Sequence, residues 1–126
     1  MKSSLPKPFK NAIIYQDEKL YACLANEPIV PGHVVVVWNK VIRDINLLNK
    51  KDYNHLLSIV GDIRKAMIKT LKVKKVYLLY MDEVNHIHWH LVPRYTKLGV
   101  DNLLTKPGKI KDFTLDDKIR KNLIIS

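Results

Sequence analysis

The chain has 126 residues, of which 47% are hydrophobic and 27% are charged, close to the average for globular domains. These values predict one domain over residues 1–126 and argue against the disordered and fibrous classes. No apolar run reaches the ~18 residues of a membrane span, and the polar start lacks a signal-peptide core. With a lone Cys23, which cannot form an internal disulfide, these features lead us to expect a cytoplasmic protein without a membrane partner. The net charge of +10 favours an anionic partner, although solvated surface lysines would give the same charge.

The first half of the chain predicts three strands. Residues 11–16 and 20–24 read as two short strands joined by a connection of hairpin length. A turn-rich stretch with two prolines and a glycine follows. Residues 33–38 then have the β-branched composition of a buried strand.

The second half predicts a long helix, two further strands and a basic tail. Apolar residues recur at helical spacing over 51–71, with Asn49 as a candidate cap, and residues 75–81 predict a fourth strand. A fifth strand carries the histidines described next. Beyond Pro93 the chain is basic, and Thr114 followed by an acid three residues later indicates the start of a short helix.

These elements predict an α+β fold with a five-stranded antiparallel sheet, one long helix and a short C-terminal helix. The sheet is expected to be antiparallel because only the long helix offers a connection long enough for a parallel crossover. We place the structural core at residues 11–95 and a basic C-terminal extension at residues 96–126.

Three histidines alternate along the predicted fifth strand, at His86, His88 and His90. A strand turns successive side chains to opposite faces, so the three imidazoles would share one face while the apolar residues between them pack behind. Trp89 is expected on this packed side rather than stacked on a base. Imidazole donors and acceptors need partners when buried, so such a row suits an oxygen-rich anion or a metal.

The spacing leaves two kinds of chemistry open. Alternate histidines on a strand can converge on one zinc ion, with the third ligand drawn from His33, His55, Asp82 or Glu83. Alternatively, His88 is a nucleophile that attacks phosphorus to form a covalent intermediate. The flanking imidazoles would then donate hydrogen bonds to the phosphoryl oxygens as charge develops.

The run His86-Ile87-His88-Trp89-His90-Leu91-Val92 resembles the signature of the histidine-triad (HIT) nucleotide-binding family, His-φ-His-φ-His-φ-φ, where φ is apolar. Pro31-Gly32-His33, which enters an apolar strand, is similar to the second motif of that family. The two motifs occur in the family's order some fifty residues apart, so the resemblance covers residues 11–95.

The resemblance implies a HIT-like fold and hydrolysis or transfer at the α-phosphorus of a nucleotide. It implies that His88 is the nucleophile, that His86 and His90 contact phosphate oxygens, and that His33 orients the triad. Many members hold the ribose with an acid where this chain has Ala25, so Asn26 and Glu27 are the candidate replacements.

We also expect Arg94 to bind nucleotide or to offset the acids before the triad. The expected substrates are nucleoside phosphoanhydrides or phosphoramidates, dinucleoside polyphosphates among them. No metal ligands and no cofactor are expected, although substrate can arrive as a magnesium complex. The alternatives are a catalytically weak module that binds nucleotide or nucleic acid, and a zinc hydrolase. The resemblance further implies a homodimer that pairs through the helix and a sheet edge.

Overall fold

The structure is a computed structural model that describes residues 3–126, so Met1 and Lys2 of the polar start lie outside the described residues. Five strands in this part of the chain form one antiparallel sheet, and three α-helices accompany it, which confirms the predicted fold class. In chain order the elements are β1 (Ile13–Gln16), β2 (Leu20–Leu24), β3 (Val34–Trp38), α1 (Lys50–Leu71), β4 (Val76–Tyr80), β5 (His88–Pro93), α2 (Val100–Leu103) and α3 (Leu115–Lys121).

The strands lie in the order β1-β2-β3-β5-β4, so the two strands that carry the histidine motifs are neighbours near the middle of the sheet. In the register of β3 with β5, Val37 lies opposite His88 and Val35 lies opposite His90. Side chains that lie opposite each other point to the same face of the sheet. His88 and His90 therefore share a face of the sheet with Val35 and Val37 of β3.

Helix α1 covers the other face of the sheet. Its buried residues include Leu56, Ile63 and Met67, which belong to one core cluster with Val36 and Leu91 of the sheet. Each fully buried aliphatic side chain of this kind stabilises the fold by about 1.5–3 kcal/mol. The Asn49 side chain accepts a hydrogen bond from the backbone N–H of Asp52, so the predicted helix cap is confirmed.

The C-terminal extension packs on the same core. Helix α3 contacts α1, β1 and β2, and its Ile119 is fully buried in the core cluster. The predicted cap of α3 is wrong, because Thr114 itself has helical backbone angles and makes no capping hydrogen bond. Its N–H and its hydroxyl both donate to one carboxylate oxygen of Asp112 instead. The short helix α2 was not predicted.

Two strands, β1 and β5, begin two residues later than the sequence predicts. A 3₁₀ turn over Lys10–Ala12 precedes β1, and His86 lies in a bend before β5. The backbone N–H of Ile87 donates to the carbonyl of Ile42, outside the β3–β5 ladder, so regular pairing starts only after it. None of the helices within residues 3–126 is both long and apolar enough to span a membrane.

Candidate functional site

The turn before β3 places His33 at the start of that strand. Gly32 has a φ of 84°, a backbone conformation that residues other than glycine rarely adopt. A Cβ at this position would lie 2.7 Å from a methyl group of Leu71 at the end of α1. The Tyr95 hydroxyl donates to the Pro31 carbonyl at 2.6 Å. The turn is therefore packed between the end of α1 and the segment that follows β5.

The hydrogen bonds of His33 fix the tautomers of two rings. The backbone N–H of Ile29 donates to Nδ1 of His33 at 3.0 Å, so in the neutral ring the proton lies on Nε2. That Nε2 is 2.9 Å from Nδ1 of His90, which must therefore accept. The remaining nitrogen of His90, Nε2, then carries a proton that can be donated to a ligand.

His88 is fixed in the opposite tautomer. Its Nδ1 lies 2.7 Å from the backbone carbonyl oxygen of His86, which can only accept, so Nδ1 carries the proton. The Nε2 of neutral His88 therefore has a free lone pair. The rings of His88 and His90 lie edge to face, with centroids 5.0 Å apart. His88 thus offers the lone pair of its Nε2 beside His90, which offers an N–H.

Burial keeps two of these rings neutral. Desolvation, with a smaller contribution from neighbouring His90, lowers the pKa of His33 to about 3. Desolvation, and then the proximity of His88, lowers the pKa of His90 to about 4. Both rings are neutral at pH 7, so the tautomers deduced above hold at that pH.

The histidine face of the sheet forms one wall of a pocket of about 730 Å³. This volume lies within the range of ~300–1,000 Å³ that is common for small-molecule sites. The sheet contributes Tyr21, Cys23, Val35, Val37, His88 and His90, and the loop between β2 and β3 contributes Ala25, Asn26, Glu27 and His33. The pocket therefore combines an apolar wall with a few directed polar groups.

The family model for the HIT domain matches residues 7–97, which is more than two thirds of the chain. The chain belongs to the HIT family. An uncharacterized HIT-like protein of Buchnera aphidicola is 33% identical over 88 residues, which are 64% of this chain and 78% of that protein. A bis(5'-adenosyl)-triphosphatase of Saccharomyces cerevisiae is 26% identical over 102 residues, which are 73% of this chain but only 48% of that enzyme.

Solved structures have the same HIT fold. A HIT-like protein involved in cell-cycle regulation from Bartonella henselae superposes with a TM-score of 0.75 at 21% identity, over 91% of this chain and 88% of that one. The diadenosine triphosphate hydrolase of Plasmodium falciparum superposes with a TM-score of 0.67 at 16% identity, over 96% of this chain and 80% of that one.

The first histidine of the HIT triad is placed differently from the other two. His86 is buried, and within residues 3–126 it is not among the side chains that line the pocket. Its Nε2 donates to the backbone carbonyl of Trp38, and its Nδ1 faces the hydroxyl of Ser3. In this arrangement His86 acts on the pocket through its backbone carbonyl, which accepts a hydrogen bond from Nδ1 of His88 and so orients that ring. Its proposed contact with phosphate stays a prediction.

The other candidate binding residues divide into two groups. Asn26 and Glu27 line the pocket, but the Asn26 amide donates to the carbonyl of Lys7 at 2.9 Å. Arg94 is not among the lining residues of the described chain, and its backbone N–H continues the sheet by donating to Lys75. Trp89 packs beside Tyr80 against the core, on the side that the strand alternation predicts.

Both terminal segments contribute pocket residues that the sequence did not predict. The N-terminal segment, residues 3–9, supplies Leu5, Pro6 and Phe9, and the C-terminal segment, residues 106–113, supplies Lys109, Ile110 and Phe113. The rings of Phe9 and Phe113 meet edge to face at 5.9 Å, and the N–H of Gly108 donates to the carbonyl of Pro28. For the C-terminal part of this pocket lining, the only indication in the sequence was a few isolated apolar residues in the basic extension.

Among residues 3–126, no group of three or more histidine, cysteine, aspartate or glutamate side chains is arranged to hold a metal ion. Of the ligands considered for zinc, His55 lies on α1 and pairs with Asp17 at 2.8 Å. His33 is engaged by His90 and Ile29.

Proposed function

We propose that this HIT protein hydrolyses or transfers at the α-phosphorus of a nucleoside phosphoanhydride or phosphoramidate, through a nucleotidyl-His88 intermediate. The observation that carries the proposal is the hydrogen bond from Nδ1 of His88 to the carbonyl of His86. This bond leaves the lone pair of Nε2 available on the wall of a pocket large enough for a nucleotide.

The reaction takes two displacements. Nε2 of His88 attacks the α-phosphorus, so that a P–N bond forms while the bond from phosphorus to the leaving group breaks. A leaving phosphate oxygen departs as an anion, and a leaving nitrogen takes a proton from solvent and departs as an amine. The Nε2–H of His90 donates to a phosphoryl oxygen as negative charge grows there. Water then attacks the same phosphorus and releases a nucleoside monophosphate, a proton to solvent and free His88. The scheme needs no cofactor, and magnesium can enter with the substrate.

Several properties of the site support a nucleotide substrate. The apolar walls of the pocket fit a nucleobase, while the net charge of +10 attracts polyphosphates. Relatives whose names give an activity act on diadenosine triphosphate. We therefore propose dinucleoside polyphosphates first and nucleoside phosphoramidates second as substrates, and we place the activity in the cytoplasm.

Replacement of His88 tests the mechanism. In a panel of nucleotide substrates assayed for release of nucleoside monophosphate, His88→Ala and His88→Asn should lower turnover by at least ~10⁴-fold while keeping the fold. Wild-type protein should carry an acid-labile nucleotidyl label that both variants lack. The matched control is His55→Gln, which removes a histidine outside the pocket. Full activity in the His88 variants would contradict the mechanism.

A catalytically weak module that binds nucleotide or nucleic acid is the second candidate. Ala25 lines the pocket without offering a polar group to a ribose, and this observation favours it. Nucleotide binding without turnover in the wild-type protein would support this candidate. Loss of activity on treatment with a chelator that zinc restores but magnesium does not would point to the zinc hydrolase instead.

We further propose a homodimer that pairs through strand β4. Among the strands of residues 3–126, β4 lies at one edge of the sheet, and its Leu78 is 44% exposed. Helix α3 packs at the opposite end of the sheet and leaves this edge uncovered. Light scattering should give twice the chain mass of 14.7 kDa for the wild type and the Ile124→Lys control, and a smaller mass for Leu78→Lys. A wild-type mass near 14.7 kDa would contradict the dimer.

A further inference from the structure

The N-terminal segment contacts the catalytic triad directly through Ser3. Its hydroxyl lies 2.5 Å from Nδ1 of His86, across 83 positions of sequence. The other ring nitrogen of His86 faces the carbonyl of Trp38 and must donate to it, so Nδ1 of the neutral ring is an acceptor. The Ser3 hydroxyl therefore donates to His86. Consistently, its oxygen accepts from the backbone N–H of Leu5 at 3.1 Å.

Ser3 contacts His86, which only Ile87 separates from the nucleophile His88 along the chain. His86 precedes the regular part of β5, so the strand ladder does not itself fix this residue. The ring is held at both nitrogens, by Trp38 and by Ser3. The carbonyl of the same residue accepts from Nδ1 of His88 and so sets the tautomer of the nucleophile. Holding the His86 ring therefore holds the group that orients His88.

We propose that Ser3 is a positioning residue for the reaction, which acts through the His86 ring and carbonyl to keep Nε2 of His88 unprotonated and aimed into the pocket. This inference rests on the proposed function, since it assigns His88 the role of nucleophile. Without the hydroxyl, Nδ1 of His86 would lose this protein partner, and the ring would be held only through its bond to the Trp38 carbonyl.

The same bond also positions part of the pocket wall. Leu5 and Pro6 lie two and three residues after Ser3 and line the pocket. Loss of the Ser3 bond could therefore act on substrate binding alone, if the N-terminal segment were only a wall. The two roles are separable, because a positioning role lowers kcat while a wall role raises KM.

The test compares Ser3→Ala, Ser3→Thr and Ser4→Ala in the full chain. Ser4 is the adjacent serine and is exposed, so its variant is the matched control. Ser3→Ala should lower kcat by about 3- to 10-fold, as expected for the loss of one hydrogen bond, with KM within about twofold of wild type. Ser3→Thr keeps a hydroxyl and should restore kcat, and Ser4→Ala should match wild type.

A second readout does not depend on activity. Nitrogen-15 NMR of the histidine rings should show His86 as the Nε2–H tautomer in the wild type. Its Nδ1 resonance should move toward the position of an unbonded nitrogen in Ser3→Ala but not in Ser4→Ala. An unchanged Nδ1 resonance, or a raised KM at constant kcat, would overturn the inference. An inactive wild type with the expected NMR change would overturn only the proposed reaction and leave the Ser3–His86 contact established.

Discussion

The pocket has two kinds of wall, and they differ in how the chain builds them. The histidine wall lies on the neighbouring strands β3 and β5 and on the turn that enters β3, and the ladder hydrogen bonds fix the face on which each strand residue lies. The opposite wall comes from residues 3–9 and 106–113, which have no regular secondary structure over most of their length. Single contacts hold these segments, including Asn26 to Lys7 and the pair Phe9–Phe113.

This difference predicts that the histidine wall serves the reaction and that the terminal wall serves substrate binding. The histidine wall offers groups whose tautomers are set by hydrogen bonds to the backbone and between the rings, so it suits chemistry that depends on proton placement. The terminal wall is apolar apart from Lys109, which suits contact with a nucleobase. Changes in the first wall should therefore lower kcat, and changes in the second should raise KM.

The largest effect is expected on the histidine wall. His90→Ala removes the N–H aimed at the phosphoryl oxygen and should lower kcat by about 10²–10³-fold, as for loss of one donor to a transition-state oxyanion. His33→Ala should have a smaller effect, because it only frees the ring of His90. Steady-state kinetics of both single variants and the double variant checks this. Because the two rings act as a unit, the double variant should be no slower than His90→Ala, and additive effects would contradict the arrangement.

The pH dependence of stability tests the burial of the same wall. His33 and His90 have folded pKa values of about 3 and about 4, below the ordinary value of 6.5. Below pH 6.5 the unfolded chain therefore binds more protons than the folded chain does. Stability is full above that pH and falls by up to about 1.4 kcal/mol per pH unit per group as the pH drops toward 4.

Urea unfolding between pH 7 and pH 4.5 measures this slope. His33→Gln should flatten it, whereas the control His55→Gln should not. Carboxylates with lowered pKa values, such as Asp17, act below pH 4 and stay outside this window. A wild-type free energy of unfolding that is constant over the window would contradict the burial of the two rings as neutral groups.

The smallest effect is expected on the terminal wall. Phe113→Ala removes the edge contact with Phe9 and part of the apolar surface, so KM should rise by about 2- to 10-fold at nearly constant kcat. The control is Leu104→Ala in the same extension, where the side chain is 75% exposed and does not line the pocket. A fall in kcat with Phe113→Ala would show that the division between the two walls is wrong.

The two walls also differ in how far the sequence predicted them. The shared face of His88 and His90 follows from strand alternation, which acts within a few residues, and His33 follows from the resemblance of Pro31-Gly32-His33 to the second HIT motif. The placement of Phe9 beside Phe113 depends on contacts between the two ends of the chain, which no local pattern records. For this reason the C-terminal extension was predicted as a basic tail, although part of it forms the pocket.

His86 shows where the predicted strand boundary is wrong. The pattern of three histidines predicts a strand that includes His86, but the ladder begins only at His88. Ile87 directs its N–H to Ile42, outside the β3–β5 ladder, so the regular pairing stops two residues short of His86. Strand boundaries are set by such competing partners, and the period of a motif does not reveal them.

The turn at Gly32 limits how this protein can change over evolutionary time. Leu71, the last residue of α1, lies against it, and Tyr95 holds its other side. A side chain at position 32 would have to adopt a strained positive φ and push aside the methyl groups of Leu71. Heat tolerance and turnover would then shift together, so selection for either trait at this position also acts on the other.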